Sequence, residues 1–250
     1  IAGGSKGKSG AVSLSAKSCL KSGAGLVSVA TEEEIRNLIH LYSPEIMTEN
    51  IYDDIEVLLK NKSAVAIGPG LDKNEKTKEL LKYLIQKTQI PLIIDADGLN
   101  LIANNGDEFF INNKHRKIII TPHIGEMARL TGASTAEIID NKISYAQSYA
   151  QKYNLVVVLK GYHSIITDGI NIYLNESGNN GLATAGSGDV LTGIIASFAG
   201  QNLNSLNAAV CGCFIHGLSG DIFAKNKSKT SLTAGDIIEN LDNVFNQFEN

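Results

Sequence analysis

Between Leu26 and Leu159 short runs of Val and Ile alternate with longer amphipathic stretches, and few architectures accept that order. Strands are predicted at residues 26–30, 64–67, 92–94, 118–120 and 155–159, each bounded by turn residues. Helical patterns lie between them, for example over residues 73–87 and 134–153. Strands joined through helices must run parallel, with the helices packed back onto the sheet. The expectation is therefore an α/β fold with a mostly parallel central sheet and helices on both faces. No internal repeat, low-complexity tract or linker interrupts residues 1–250, so a single domain is expected. With 43% apolar residues the chain can bury a core of that size.

Charge and cysteine usage narrow the partners. The net charge is −4 and the 22 Lys and Arg are dispersed, so no basic stripe points to nucleic acid. No apolar run reaches the roughly 20 residues of a membrane span, and no signal peptide is visible. The three cysteines, Cys19, Cys211 and Cys213, are odd in number and lack metal-site spacing. A reducing, cytoplasmic compartment is expected.

Each predicted strand leads into polar or glycine-rich residues. After residues 64–67 comes Gly68-Pro69-Gly70-Leu71, and after residues 92–94 come Asp95, Asp97 and Asn100. Residues 118–120 lead into Thr121-Pro122-His123-Ile124-Gly125-Glu126, and residues 155–159 into Lys160-Gly161. Ligands of open α/β sheets sit outside the carboxyl ends of the strands, and polar clustering along one edge is hard to explain as packing. Each piece also has a plainer reading taken alone: Gly68-Pro69-Gly70 as a turn, Asp95 and Asp97 as helix caps, His123 as a loop-orienting residue. Lys160 resists such a reading, because a lysine closing a buried strand calls for an anion.

The most informative stretch is residues 181–193, GLATAGSGDVLTG. Gly186, Ser187 and Gly188 let bare backbone approach a ligand. The apolar face of Val190, Leu191, Ile194, Ile195 and Phe198 predicts a helix that ends at Gly200. A glycine turn opening a helix aims free N–H groups at whatever lies in front, which makes an anion site. Asp189 sits in the first turn, where acids are favoured on electrostatic grounds alone. Beside a phosphate cradle, however, a single carboxylate is also placed to take a proton from an attacking hydroxyl.

At the N-terminus, Gly7-Lys8-Ser9 imitates the end of a P-loop, but that pattern requires glycine where Ala2 stands. A helix is expected from about Gly10 to Ser22. Further on, Asp168-Gly169 between residues 165–167 and 170–173 signals a hairpin near the sheet edge. The last third reads as helical: His216 lies on an apolar helix and reads as a packed histidine, and Thr233 with Asp236 forms a variant capping box that opens a last helix carrying Ile237, Ile238, Leu241, Val244, Phe245 and Phe248.

GLATAGSGDVLTG resembles the glycine-rich motif A-T-x-G-[ST]-G-D-V-L of the ribokinase-like NAD(P)H-hydrate dehydratases. Gly4, Ser5, Gly7, Gly10 and Ala11 resemble that family's entry block. The segments at 67–71, 95–100, 121–126 and 160–164 resemble its I-G-P-G-L, D-A-D-A-L-N, T-P-H-x-G-E and K-G-x-x-[TS] blocks in the same order. Residues 216–221 resemble L-H-G-x-x-G-D from its histidine on. Two departures are Gly98 in place of alanine and Ser164 in place of the commoner threonine. The likeness covers nearly the whole chain and implies a three-layer ribokinase-like fold.

It also implies an activity. In such enzymes ADP, or ATP in eukaryotic members, phosphorylates the hydroxyl of (6S)-NADHX or (6S)-NADPHX. Phosphate is then eliminated to restore NADH or NADPH, leaving AMP from ADP or ADP from ATP. By resemblance the hydrate lies near Ala11, Gly70, His123, Asp95, Asn100 and Asp189, with Asp189 as the catalytic base. The donor nucleotide then lies along Lys160, Gly161, Tyr162, His163 and Ser164 and at Gly188, with Gly186, Ser187 and Gly188 as the anion hole. Mg2+ is implied, with ligands the sequence does not name. The resemblance further implies a homo-oligomer, often a tetramer, and an epimerase partner, separate or fused upstream. A start at Ile1, inside a motif, fits an expectation of missing upstream chain. Two rivals are a ribokinase-like kinase of a small alcohol or vitamin and a nucleotide-binding regulatory subunit without chemistry. Asp189 counts against the second, and the 95–100 and 121–126 segments against the first.

Overall fold

The computed structural model describes residues 1–110 and 117–249. Its first half runs α1 (Ser9–Lys21), β1 (Ser28–Thr31), α2 (Glu33–Tyr42), β2 (Met47–Asn50), α3 (Ile55–Leu59), β3 (Val65–Ile67), α4 (Glu75–Lys87), β4 (Leu92–Ile94) and α5 (Ala96–Asn105). The chain continues through β5 (Ile118–Ile120), α6 (Ile124–Thr131), α7 (Thr135–Asp140), α8 (Lys142–Tyr153), β6 (Val156–Leu159), β7 (Ser164–Thr167) and β8 (Ile172–Asn175). It closes with α9 (Ser187–Gly200), α10 (Ser205–Asn226), α11 (Ala234–Glu239) and α12 (Leu241–Phe245).

Strands β3-β4-β5-β6-β7-β8 lie side by side in that order, parallel from β3 to β6 and antiparallel from β6 to β8. The parallel pair β1–β2 joins them through Ala2, which bridges both Ala30 and Ile67. Side-chain alternation then separates the layers. Leu92, Ile94, Ile118, Ile120, Val157 and Leu159 pack against α4 to α8, whereas Ile93, Ile119, Val156 and Val158 pack against α1, α2, α9 and α10. A third apolar cluster locks α11 and α12 onto α9 and α10.

The predicted α/β sheet is what forms, and the differences are local. Leu26 is 82% exposed, and the first strand starts at Ser28. The single helix expected over 134–153 divides at Asn141, which ends α7 and starts α8; the C-terminal helix divides likewise at Asn240. The hairpin turn is four residues, since Thr167 pairs with Ile172. Asp168 explains the longer turn, because its carboxylate accepts from the Ile170 and Asn171 amides at 2.9 and 2.7 Å. Helix α10 is by length and composition apolar enough to cross a membrane, yet its apolar and small residues are largely buried against α9 and its neighbours.

Two close approaches fix the frame around the site. Helices α1 and α9 cross at Gly193, where a Cβ would collide with the Ser15 carbonyl oxygen. The Ser15 and Ser18 hydroxyls donate to the Asp189 and Val190 carbonyls at 2.8 and 3.0 Å across that crossing. At the tip of β3, Gly68 has φ +127 and a Cβ there would collide with the Asp95 carbonyl oxygen. The β3 turn and the start of α5 are thereby held together.

Candidate active site

The carboxyl ends of β3 to β6 converge on Asp95, at the tip of β4. Asp95 is 1% exposed, and its carboxylate does not cap α5. One oxygen accepts from Lys160 Nζ at 2.7 Å and the other from Thr192 Oγ1 at 2.9 Å, so strands β4 and β6 and helix α9 share one polar junction. A buried carboxylate needs such partners. Lys160 also lies 3.9 Å from Glu126 Oε2. Burial works to lower the Lys160 ammonium, but the carboxylates of Asp95, Glu126 and Asp189 outweigh it and hold the group above its ordinary value.

His123 enters from β5. Its Nδ1 accepts from the Gly125 and Glu126 amides at 2.9 and 3.2 Å, while Glu126 returns a carboxylate to the His123 amide at 2.8 Å. The imidazole thus begins α6 in a reciprocal cap, a firmer role than orienting a loop. Burial, with the nearby cations Lys160 and Arg129, lowers its proton affinity despite Asp95. Since Nδ1 is an acceptor, the neutral ring carries its hydrogen on Nε2. Glu126 is 6% exposed, and burial raises its carboxyl against the pull of Lys160.

Helix α9 presents its N-terminus to this junction. Gly186 has φ +85, and a Cβ there would sit 2.5 Å from Leu14 Cδ1, so only glycine fits. No side chain caps the helix. The Ser187 amide donates to the Thr184 carbonyl at 3.3 Å, while no intramolecular acceptor for the Gly188 and Asp189 amides is found among the described residues. A Cβ on Gly188 would stand 3.3 Å from Lys160 Nζ and 3.9 Å from Asp95 Oδ2, which puts the free amides beside the ammonium. Burial, the charges of Asp95 and Glu126, and the opposing pull of Lys160 together push the Asp189 carboxyl from 3.8 up to about 7. An acid poised there suits proton transfer near neutrality.

A cavity of about 690 Å³ opens from this point. It is lined by Lys160, Gly161, Tyr162, His163 and Ser164, by His123, and by Ser187, Gly188 and His216. Residues of the segment 175–184 line it as well, and α10 clamps that segment: Asp221 accepts from the Gly178 amide and Asn179 Nδ2 at 2.7 and 2.9 Å. Ser164 Oγ closes the 161–164 turn onto Gly161. Tyr162 stands 84% exposed with its ring 4.0 Å from that of His163.

Ala11, Gly70 and Asn100 lie away from the cavity. A Cβ on Gly70 would meet the Ala11 Cβ at 3.3 Å and the Lys8 carbonyl oxygen at 2.6 Å. Lys8 Nζ donates to Asp97 at 2.9 Å, Asn100 Nδ2 donates to Asp97 at 3.2 Å, and Arg129 Nε donates to Asn100 at 3.1 Å. The expected residues thus form two groups, one along the cavity and one at this polar rim, with the Asp95–Lys160 pair joined to α9 through Thr192 and Asp189 in the first turn of that helix. From sequence alone Glu126 and Thr192 carry no assigned role and His216 reads as a packed histidine. Glu126 carried a signal in its motif; Thr192 carried none, because its partner lies 97 residues away.

An uncapped glycine-led helix terminus, a lysine and a carboxylate at the strand ends of a mainly parallel sheet define a ribokinase-like α/β protein. More narrowly, the chain belongs to the NAD(P)H-hydrate dehydratase family, whose profile matches residues 1–243. It is 40% identical to the bifunctional NAD(P)H-hydrate repair enzyme Nnr of Moorella thermoacetica, over 99% of this chain and 49% of that protein. The chain spans about half the length of such bifunctional relatives. It is 33% identical to the ADP-dependent (S)-NAD(P)H-hydrate dehydratase of Neisseria meningitidis, over 95% of this chain and 81% of that one. Among solved structures it is similar to the ADP/ATP-dependent NAD(P)H-hydrate dehydratase of Bacillus subtilis crystallised with ATP and Mg2+. There the TM-score is 0.87 at 28% identity, covering 99% of this chain and 90% of that one.

Proposed function

We propose that this chain restores NADH and NADPH from their (6S)-hydrates, with ADP or ATP as the phosphoryl donor. The observation that carries the reading is Asp189, a carboxyl raised to about 7 in the first turn of an uncapped helix beside Lys160. The donor occupies the cavity walled by Lys160–Ser164, with its transferable phosphate against the Gly188 amide and Lys160. The hydrate lies toward His123 and the Ala11–Gly70–Asn100 rim. Asp189 takes the proton of the hydrate hydroxyl as that oxygen attacks phosphorus, and AMP leaves from ADP, or ADP from ATP. The free amides and the ammonium hold the charge that develops on the transferred group.

The phosphorylated carbon then has a good leaving group next to a ring nitrogen. The nitrogen lone pair expels phosphate, the neighbouring ring carbon gives up a proton, and the dihydronicotinamide returns. His123 and Glu126 border this step and exchange protons there. No group of three or more metal-ligating side chains converges among the described residues. The described residues alone therefore do not fit a resident magnesium site; any Mg2+ there arrives on the nucleotide phosphates, retaining much of its water.

The same reading includes a reducing, cytoplasmic setting, a homo-oligomer, and an epimerase of the hydrate as functional partner, in the same or a separate chain. Product analysis tests the chemistry. Incubation of hydrated NADH with the protein and ADP is expected to yield AMP, phosphate and NADH in equal amounts. A stable phosphorylated hydrate without NADH would overturn the dehydratase reading.

A further inference from the structure

His216 is 9% exposed on α10 and faces the first residue of α9. Its Nε2 lies 3.0 Å from the Ser187 carbonyl oxygen and 3.1 Å from Ser187 Oγ. A carbonyl oxygen only accepts, so Nε2 must carry the ring hydrogen. Burial keeps the ring neutral, pushing it down to about 4 although the Ser187 carbonyl pulls the other way. A nitrogen that already bears hydrogen cannot accept the Ser187 hydroxyl proton. Ser187 Oγ can take a share of the Nε2 hydrogen, and its own hydrogen must point elsewhere.

Among the described residues that hydroxyl has no hydrogen-bond partner other than His216. Ser187 and His216 both line the donor-side cavity, and Gly188 beside them faces Lys160. The Ser187 amide is also spent, donating to Thr184 at 3.3 Å. Ser187 therefore has only its side chain to offer an anion in front of the helix.

Resting on the reading of this cavity as the donor site, we propose that His216 is a positioning residue that fixes the Ser187 hydroxyl as a hydrogen-bond donor to the nucleotide phosphates. Ser187 is then the phosphate-binding group of the pair, and His216 acts through it. The rest of the α10 block serves the same wall: Gly217 admits Ser177 where a side chain would collide, and Asp221 ties down Gly178 and Asn179.

The test is binding of ADP, ATP and adenosine to the full chain by calorimetry, using His216→Leu, Ser187→Ala, the double variant and His216→Gln. A hydrogen bond to a charged phosphate carries about tenfold or more in affinity. His216→Leu and Ser187→Ala should each weaken ADP and ATP about tenfold and leave adenosine unchanged. The double variant should be no weaker than Ser187→Ala alone, and His216→Gln, which retains an N–H donor, should bind within about twofold of the parent. Ser187→Ala removes only an oxygen and decides the matter even where His216→Leu fails to fold: unaltered ADP affinity in Ser187→Ala overturns the inference. An equal loss of adenosine binding, or additive losses in the double variant, does so too. A parent chain that binds neither ADP nor ATP overturns the donor-site reading itself; a parent that binds ADP while both single variants match it overturns this inference alone.

Discussion

Replacing Asp189 by Asn should stabilise the unliganded protein, and by an amount that depends on pH. The folded state holds this carboxyl near 7, against 3.8 ordinarily, through burial first and the charge of Asp95 next. The folded chain therefore binds the proton more tightly than the unfolded chain does. Stability falls as pH rises from about 4 to about 7, and the whole penalty is present above the folded value. The interval corresponds to about 4 kcal/mol between ionisation states, and the partial exposure of Asp189 reduces the expected gain to about 2–4 kcal/mol. Asparagine matches the neutral acid in shape, so parent and variant should be closest at pH 4.5, where only about a quarter of the penalty is present, and diverge above it. Urea unfolding across pH 4.5 to 9 reads the difference directly. Equal stability at pH 8, or an offset that does not change with pH, would refute the argument that Asp189 is held protonated by its surroundings.

Three further outcomes follow from the same geometry. With Asp189 as base, kcat/KM should decline below about pH 7 as the carboxyl protonates, and a profile flat from pH 5.5 to 8 would remove it from that role. Lys160→Met leaves the Asp95 carboxylate buried with Thr192 as its remaining side-chain donor among the described residues; thermal or urea unfolding should show a loss of about 3–5 kcal/mol at neutral pH. Gly193→Ala would drive a Cβ against the Ser15 carbonyl at the α1–α9 crossing, with an expected loss of about 3 kcal/mol or more in urea unfolding and a displaced α9.

The sheet was legible because its inner strands are continuous apolar runs, which parallel strands buried on both faces require. Strand β2 was not: Met47-Thr48-Glu49-Asn50 pairs only with β1 at the sheet edge and is mostly half-buried, so no hydrophobic signal marks it. The breaks at Asn141 and Asn240 were missed for the opposite reason, since the apolar period continues past both while the backbone resets. At the site, Asp95, His123, Lys160 and Asp189 could be picked out because each ends a strand or opens a helix beside glycine. What the sequence could not show is how they are joined. Read locally, Asp95 is a cap or a ligand contact; in the fold its carboxylate is engaged by Lys160 and Thr192. His216 reads locally as packing, and it is also bonded to Ser187. Such partnerships bring together residues 29 to 97 positions apart, and no local pattern records them.

The most direct measurement follows dihydronicotinamide absorbance after the purified protein, magnesium and either ADP or ATP are added to enzymatically hydrated NADH. Recovery with at least one nucleotide, absent without it and lost in Asp189→Asn, is the predicted result. No recovery with either nucleotide, from a protein that still binds ADP, would contradict the account.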